Sequence, residues 1–140
     1  MTLSNRIALK PMASEVARLN DWLDDVFARS GTNAHIAADL KLCINEVVAN
    51  LISYAFDSTT DPAITIDIEL EPALARAVVV DNGGYFDLRQ WPALERPKDL
   101  MSAKAGGYGI ALIRERANRI DYTRVGAINR LEIECLGISP

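Results

Sequence analysis

Between positions 64 and 81 the chain restricts its own fold more than anywhere else. Ile64, Ile66, Ile68 and Leu70 alternate with Thr65, Asp67 and Glu69, the period of a strand with one wet face. The connection Glu71-Pro72-Ala73-Leu74 then leads into a second strand, Arg76 to Asp81, so the two pair antiparallel. A hairpin so placed needs a layer to cover its apolar face, and two helical patterns precede it. Val16, Leu19, Leu23, Val26 and Phe27 share one face of the first, with Ser14 or a neighbour as its cap and Gly31 at its end. Ile36, Leu40, Ile44, Val47 and Leu51 form the stripe of the second, from near Ala34 to about Tyr54, closed by polar Asp57 to Asp61 and Pro62.

Arg6 to Leu9 reads as a short strand that Pro11 interrupts. Downstream, Tyr85 to Ala105 has no clean period and contains Pro92 and Pro97; a loop this long is usually functional or mobile. Ile110 to Ile120 reads as helix, followed by strands near Asp121 to Val125 and Asn129 to Leu136 joined at Gly126. This order does not alternate strand and helix strictly, so the expected class is α+β, a two-layer sandwich with a mostly antiparallel sheet, in one domain over 1–140. At 140 residues the chain can bury a full core without a metal or disulfide staple.

A net charge of −4 argues against direct nucleic-acid or membrane binding, and no stretch is long and apolar enough to span a bilayer. Cys43 and Cys135 lack CxxC spacing and fall in apolar periodic segments, the pattern of buried thiols in a reducing cytoplasm. With a single His, they argue against a zinc site.

Three polar groups exceed what folding requires. Glu46 and Asn50 stand four apart, neighbours on one helical face beside the apolar stripe. Such a pair is either a satisfied helix-surface contact or a general base with a magnesium-ligating carboxamide. Asp39, seven residues before Glu46, shares that face and reads equally as a solvated charge. Asp81-Asn82-Gly83-Gly84 ends the run Ala77-Val78-Val79-Val80. There Asp81 either caps its own turn or offers an acceptor-only carboxylate to the exocyclic amine of adenine, with Gly83 admitting the purine to the backbone. Gly106-Gly107-Tyr108-Gly109 leads into Ile110-Ala111-Leu112-Ile113, so a helix start can receive phosphate. Lys104, the nearest cation, is either a phosphate contact or a solvated loop charge.

In this order the motifs resemble the GHKL ATPase superfamily and, within it, the anti-sigma factor serine/threonine kinases of bacterial partner-switching systems. Ile44 to Phe56, with Glu46 and Asn50, is similar to the family's N box; Asp81 to Asp87 is similar to its adenine motif; Gly106 to Ile110 is similar to its second glycine box; and Asn129-Arg130-Leu131 has the look of its last hairpin. The resemblance implies the Bergerat (histidine kinase-like ATPase) fold, with a lid from about Trp91 to Ala105. It implies ATP and Mg as cofactors, Glu46 as catalytic base and Asn50 as the magnesium ligand. Asp81, Gly83, Lys104, Gly106, Gly107, Tyr108, Gly109 and Ile110 complete the implied nucleotide site. It further implies a cytoplasmic homodimer that captures a sigma factor or related regulator and phosphorylates a serine of a STAS-type antagonist near the Trp91 to Met101 segment. Ser53-Tyr54-Ala55 stands where the family often has a basic residue after the asparagine, and Asn129 stands where it often has a threonine. The alternative is a non-catalytic, nucleotide-responsive adaptor. A sensor histidine kinase fragment fits less well, because the sole histidine, His35, begins a helix inside the domain.

Overall fold

The computed structural model describes residues 2–57, 59, 61–90 and 107–137. Lys104, Gly106 and the implied lid therefore lie outside the described residues, and of Tyr108 only the backbone is described. The elements run β1 (Leu3–Leu9), a 3-10 turn (Ala13–Glu15), α1 (Val16–Arg29), α2 (Ala34–Tyr54), β2 (Ile64–Glu71), β3 (Leu74–Asp81), α3 (Gly107–Arg116), β4 (Arg119–Val125) and β5 (Ile128–Leu136). The five strands form one sheet in the order β1-β2-β3-β5-β4, and every neighbouring pair is antiparallel. The helices cover one face, giving the α+β sandwich that the strand and helix periods predict.

Parity along each strand decides which residues meet the helices. Ile64, Ile66, Ile68 and Leu70 of β2, Ala75, Ala77 and Val79 of β3, and Leu131, Ile133 and Cys135 of β5 are all buried against Leu19, Leu23 and Val26 of α1 and the stripe of α2. Every α2 position assigned to that stripe is buried. Cys43 and Cys135 are buried free thiols, and their mutual hydrogen bond together with burial pushes the Cys43 thiol up. The opposite sheet face carries cross-strand ion pairs such as Arg6 with Asp67 and Arg76 with Glu69 and Glu132. Among the described residues, no helix is long and apolar enough to cross a membrane.

Several boundaries differ from the sequence reading. Ser14 does not cap α1; it lies in the 3-10 turn, and α1 begins without a side-chain cap. α1 closes at Arg29, two residues before Gly31. Asn33 caps α2, its Oδ1 accepting the amides of His35 at 2.9 Å and Ile36 at 3.3 Å. β1 extends back to Leu3 because Leu3, Ser4 and Asn5 join the β2 ladder. α3 stops at Arg116 and does not reach Ile120. There Asn118 is drawn into the sheet, its amide donating to Glu134 O at 2.8 Å and its side chain accepting from Leu136 N at 2.8 Å.

Candidate nucleotide site

Asp81 ends β3 at the same parity as Ala77 and Val79, which aims a carboxylate into the layer between sheet and helices. Only 5% of the residue is exposed. Its Oδ1 accepts the Gly83 amide at 2.8 Å and Asn129 Nδ2 at 3.0 Å, while Oδ2 accepts no hydrogen bond among the described residues. Both sequence readings of Asp81 are thus compatible, since one oxygen caps the turn and the other is left over. Burial pushes the carboxyl pKa up, and the bonds from Asn129 and Gly83 and the charge of Arg124 oppose that rise.

The turn after Asp81 is clamped from two sides. A Cβ on Gly83 would lie 2.7 Å from Ala55 O and 2.8 Å from Ala55 Cβ, and the Gly84 amide donates to Ala55 O at 2.7 Å. The close approach that requires glycine here is thus made by the end of α2, where the sequence reading reserved it for a purine. From the sheet side, Asn129 Nδ2 donates to Gly83 O and Gly84 O, and Arg124 Nη1 donates to Gly83 O at 3.0 Å. Asn82 pins the neighbouring loop through Ala63 N and Asp61 O. A groove of about 540 Å³ borders this turn, lined by Tyr54, Asp57, Asn82, Gly84 and Arg124 among others; Asp81, Glu46 and Asn50 do not line it.

Glu46 lies on α2 beneath the start of α3, with Asn50 one helical turn further along α2. A Cβ on Gly109 would overlap Glu46 Oε2 and sit 3.3 Å from Cδ, so the second glycine box packs directly on the N-box carboxylate. Glu46 has no hydrogen bond or ion pair among the described residues. Asn50 is 5% exposed, and its Nδ2 has no hydrogen-bond partner among them. An unsatisfied buried amide is costly in a folded protein, and it marks a place where a ligand oxygen would complete the structure. Asp39 is no lone solvated charge: Arg116 of α3 donates to it at 3.1 Å, tying α3 to α2.

α3 starts at Gly107, so the backbone of Gly107, Tyr108 and Gly109 forms its first turn, whose amides lack partners within the helix. Ile110 is wholly buried in the hydrophobic core, and its side chain serves packing. Arg124 and Tyr122 are not singled out in the sequence, Asn82 enters there only as part of the Asp81 turn, and Asn129 only as a residue of the last hairpin standing where the family often has a threonine. Their signal is the register, which sets Asn129 opposite Asp81.

Among the described residues, a buried carboxylate with one oxygen unbonded, a carboxamide with an unpartnered Nδ2 and a helix start packed over a glutamate thus share one α+β layer. The chain belongs to the histidine kinase-like ATPase domain family, whose model matches residues 9–134. It is 27% identical over 112 residues to the serine/threonine-protein kinase BtrW of Bordetella bronchiseptica, covering 80% of this chain and 79% of that protein. It is 28% identical over 120 residues to the serine-protein kinase RsbW of Listeria innocua, covering 80% of this chain and 75% of that protein. The fold matches that of a solved structure of RsbU and RsbW domains from Mycobacterium tuberculosis with a TM-score of 0.68 at 16% identity, covering 99% of this chain and 33% of that one.

Proposed function

We propose that the chain is an anti-sigma factor serine-protein kinase, which binds ATP with magnesium, sequesters a sigma factor or related regulator, and phosphorylates a serine of a STAS-type antagonist. The observation that carries this reading is the Glu46 carboxylate packed beneath Gly109 with no hydrogen bond or ion pair among the described residues, one helical turn from Asn50, whose Nδ2 has no partner among them. A carboxylate kept at this position also favours the kinase over a non-catalytic adaptor.

Each residue then has a defined task. Asp81 Oδ2 accepts the exocyclic amine of adenine, while Oδ1 keeps the turn in place. The amides at the start of α3 receive phosphate oxygens. Asn50 fits a magnesium-nucleotide pair, since its oxygen is a suitable hard ligand and its orphaned Nδ2 requires an acceptor. Magnesium, when bound, neutralises charge on the phosphates. Glu46 takes the proton of the attacking serine hydroxyl; the serine Oγ–phosphorus bond forms as the bond to the leaving diphosphate oxygen breaks, and that oxygen keeps the electron pair. Capture of a sigma factor, the antagonist substrate, homodimeric assembly and cytoplasmic action are inferred from the kinship with partner-switching kinases.

Calorimetry with Mg-ATP and phosphotransfer to a STAS-type antagonist test the reading. Asp81→Asn should weaken ATP binding by about 1 to 3 kcal/mol, because a donor can replace an obligate acceptor at the amine. Glu46→Ala should keep ATP affinity and lose roughly a hundredfold or more in transfer. Absence of ATP binding at millimolar concentration refutes the site. Equal transfer by wild type and Glu46→Ala refutes the base and leaves the adaptor.

A further inference from the structure

The two ends of the candidate nucleotide site are built on different elements. The turn after Asp81 is held by Ala55 at the end of α2, Asn129 of β5 and Arg124 of β4, none of which belongs to α3. The amides proposed to receive phosphate belong to the first turn of α3. Beyond the Asp81 turn, the chain from Tyr85 to Gln90 folds on itself. Asp87 is 2% exposed; its Oδ1 accepts the Arg89 amide and Arg89 Nε, each at 3.0 Å, its Oδ2 accepts Arg89 Nη2 at 2.8 Å, and the Gln90 amide donates to Asp87 O at 3.0 Å. α3 grips this turn by its carbonyls, for Arg114 Nη2 donates to Leu88 O at 3.0 Å and to Arg89 O at 2.7 Å. Leu88 itself shares the core with Ile110 and Ile113 of α3. Apolar packing is non-directional, and the Arg116–Asp39 pair at the same helix end is partly exposed, where an ion pair contributes little. The hydrogen bonds of the Arg114 guanidinium therefore supply the directional restraint on where α3 sits against the turn. Arg114 stands about two helical turns after Gly107 on the same face, so a displacement at Arg114 is carried to the start of the helix.

We propose that Arg114 is a positioning residue: it docks α3 on the Leu88-Arg89 turn and so fixes the spacing between the base end and the phosphate end of the nucleotide site. The proposal rests on the nucleotide-binding reading above. With Arg114 in place, that spacing is set before the nucleotide arrives. Without it, α3 keeps its core contacts but samples other placements, and only the fraction of molecules with α3 docked engages both ends of the ligand, so apparent affinity falls by that fraction. A ligand without phosphates does not read the placement of α3, because its base meets a turn fixed from α2, β4 and β5. Arg114 thus acts on phosphate-bearing ligands and spares the nucleoside.

The probes are ADP with magnesium, followed by calorimetry, and adenosine, the same base and sugar without phosphates, followed by ligand-observed NMR, which reads millimolar binding. Arg114→Met keeps the apolar stem and removes the donors; it should weaken ADP about five- to tenfold, the population shift that loss of one charge-assisted hydrogen bond permits, and adenosine by less than about twofold. Arg114→Lys restores a cationic donor and should recover part of the lost ADP-to-adenosine ratio. Arg116→Met, which breaks the exposed pair at the same end of α3, should leave that ratio within about twofold. In wild type, ADP should slow hydrogen exchange of the Arg89 and Gln90 amides at least about threefold more than saturating adenosine does, which reads the same coupling even if Arg114→Met does not fold. If Arg114→Met weakens both ligands equally, or if the two ligands protect those amides equally, Arg114 merely braces the fold and the proposal is overturned. An equal loss of ratio in Arg116→Met assigns the effect to a general loosening of α3 and overturns it too. If wild type binds neither ligand, the nucleotide reading falls and takes the proposal with it; if wild type binds both and the ratio is unmoved in Arg114→Met, the proposal alone falls.

Discussion

Gly109→Ala separates catalysis from folding at one atom. The added methyl would overlap Glu46 Oε2, and its next contacts are Cδ at 3.3 Å and Cβ at 3.8 Å of the same side chain. Only the far end of a flexible side chain is in the way, so Glu46 can swing aside at about 0.5 to 1.5 kcal/mol for an off-rotamer torsion. Alanine in place of a helical glycine returns about 0.8 to 1 kcal/mol of helix propensity, depending on how near the helix end the residue lies. The two nearly cancel, and urea unfolding should move by no more than about 1 kcal/mol. Transfer to a protein serine should fall roughly a hundredfold, because a base displaced from hydrogen-bond reach contributes little. In a Glu46→Ala background the methyl meets no carboxylate, so Gly109→Ala should then change turnover by less than about twofold, the signature of residues acting as a unit. Full turnover in the single variant would refute the contact. A hundredfold loss persisting in the Glu46→Ala background would show that Gly109 serves something other than Glu46. Gly83→Ala is the structural contrast. Its methyl would meet the Ala55 carbonyl at 2.7 Å, which only a backbone shift can relieve, so stability itself should drop by about 1 to 3 kcal/mol.

Asn50→Ala removes a buried amide whose Nδ2 has no partner among the described residues, so the ligand-free protein should keep its stability within about 1 kcal/mol while the rise in Tm on adding Mg-ATP largely disappears. A fall in the ligand-free Tm of more than about 10 °C would mean that Asn50 is bonded and structural. For acid sensitivity, the Arg89 guanidinium beside Asp87 holds its carboxyl below the usual range, while burial works against this. The folded pKa thus lies below the unfolded one near about 4, and this stabilisation is present above that pH and lost as pH falls through the folded value. Asp87→Asn should flatten that part of the urea midpoint's dependence on pH between about 5 and 2; an unchanged slope would refute the pairing.

The helix stripes and the β2–β3 hairpin were legible because each depends on contacts close in sequence and a period that side chains reveal. The N box was legible for the same reason, since Glu46 and Asn50 need only helical geometry to become neighbours. The extension of β1 to Leu3 was not, because Leu3 to Asn5 are recruited by backbone pairing at a sheet edge, which leaves no alternation to read. The end of α3 was hidden likewise. Ala117 and Asn118 can continue a helix, and what stops them is a pair of hydrogen bonds to β5, whose register no local pattern supplies.

The site divides along the same line, and one part of it was more legible than the sequence reading made it. Arg124 depends on the β4–β5 turn and on the placement of β5 beside β3, so its contact with Gly83 is a product of topology. Asn129 is different. It shares the parity of Leu131, Ile133 and Cys135, which places an amide on the apolar face of a strand. Asp81 likewise shares the parity of Ala77 and Val79. A buried amide and a buried carboxylate each cost several kcal/mol, on the order of 2 to 7 for the amide alone, unless hydrogen-bonded. Two such residues near the ends of strands in one small sheet therefore call for each other, a donor for an acceptor. That requirement favours β3 and β5 as neighbours, and among the registers that parity allows the ladder adopts the one with Asn129 opposite Asp81.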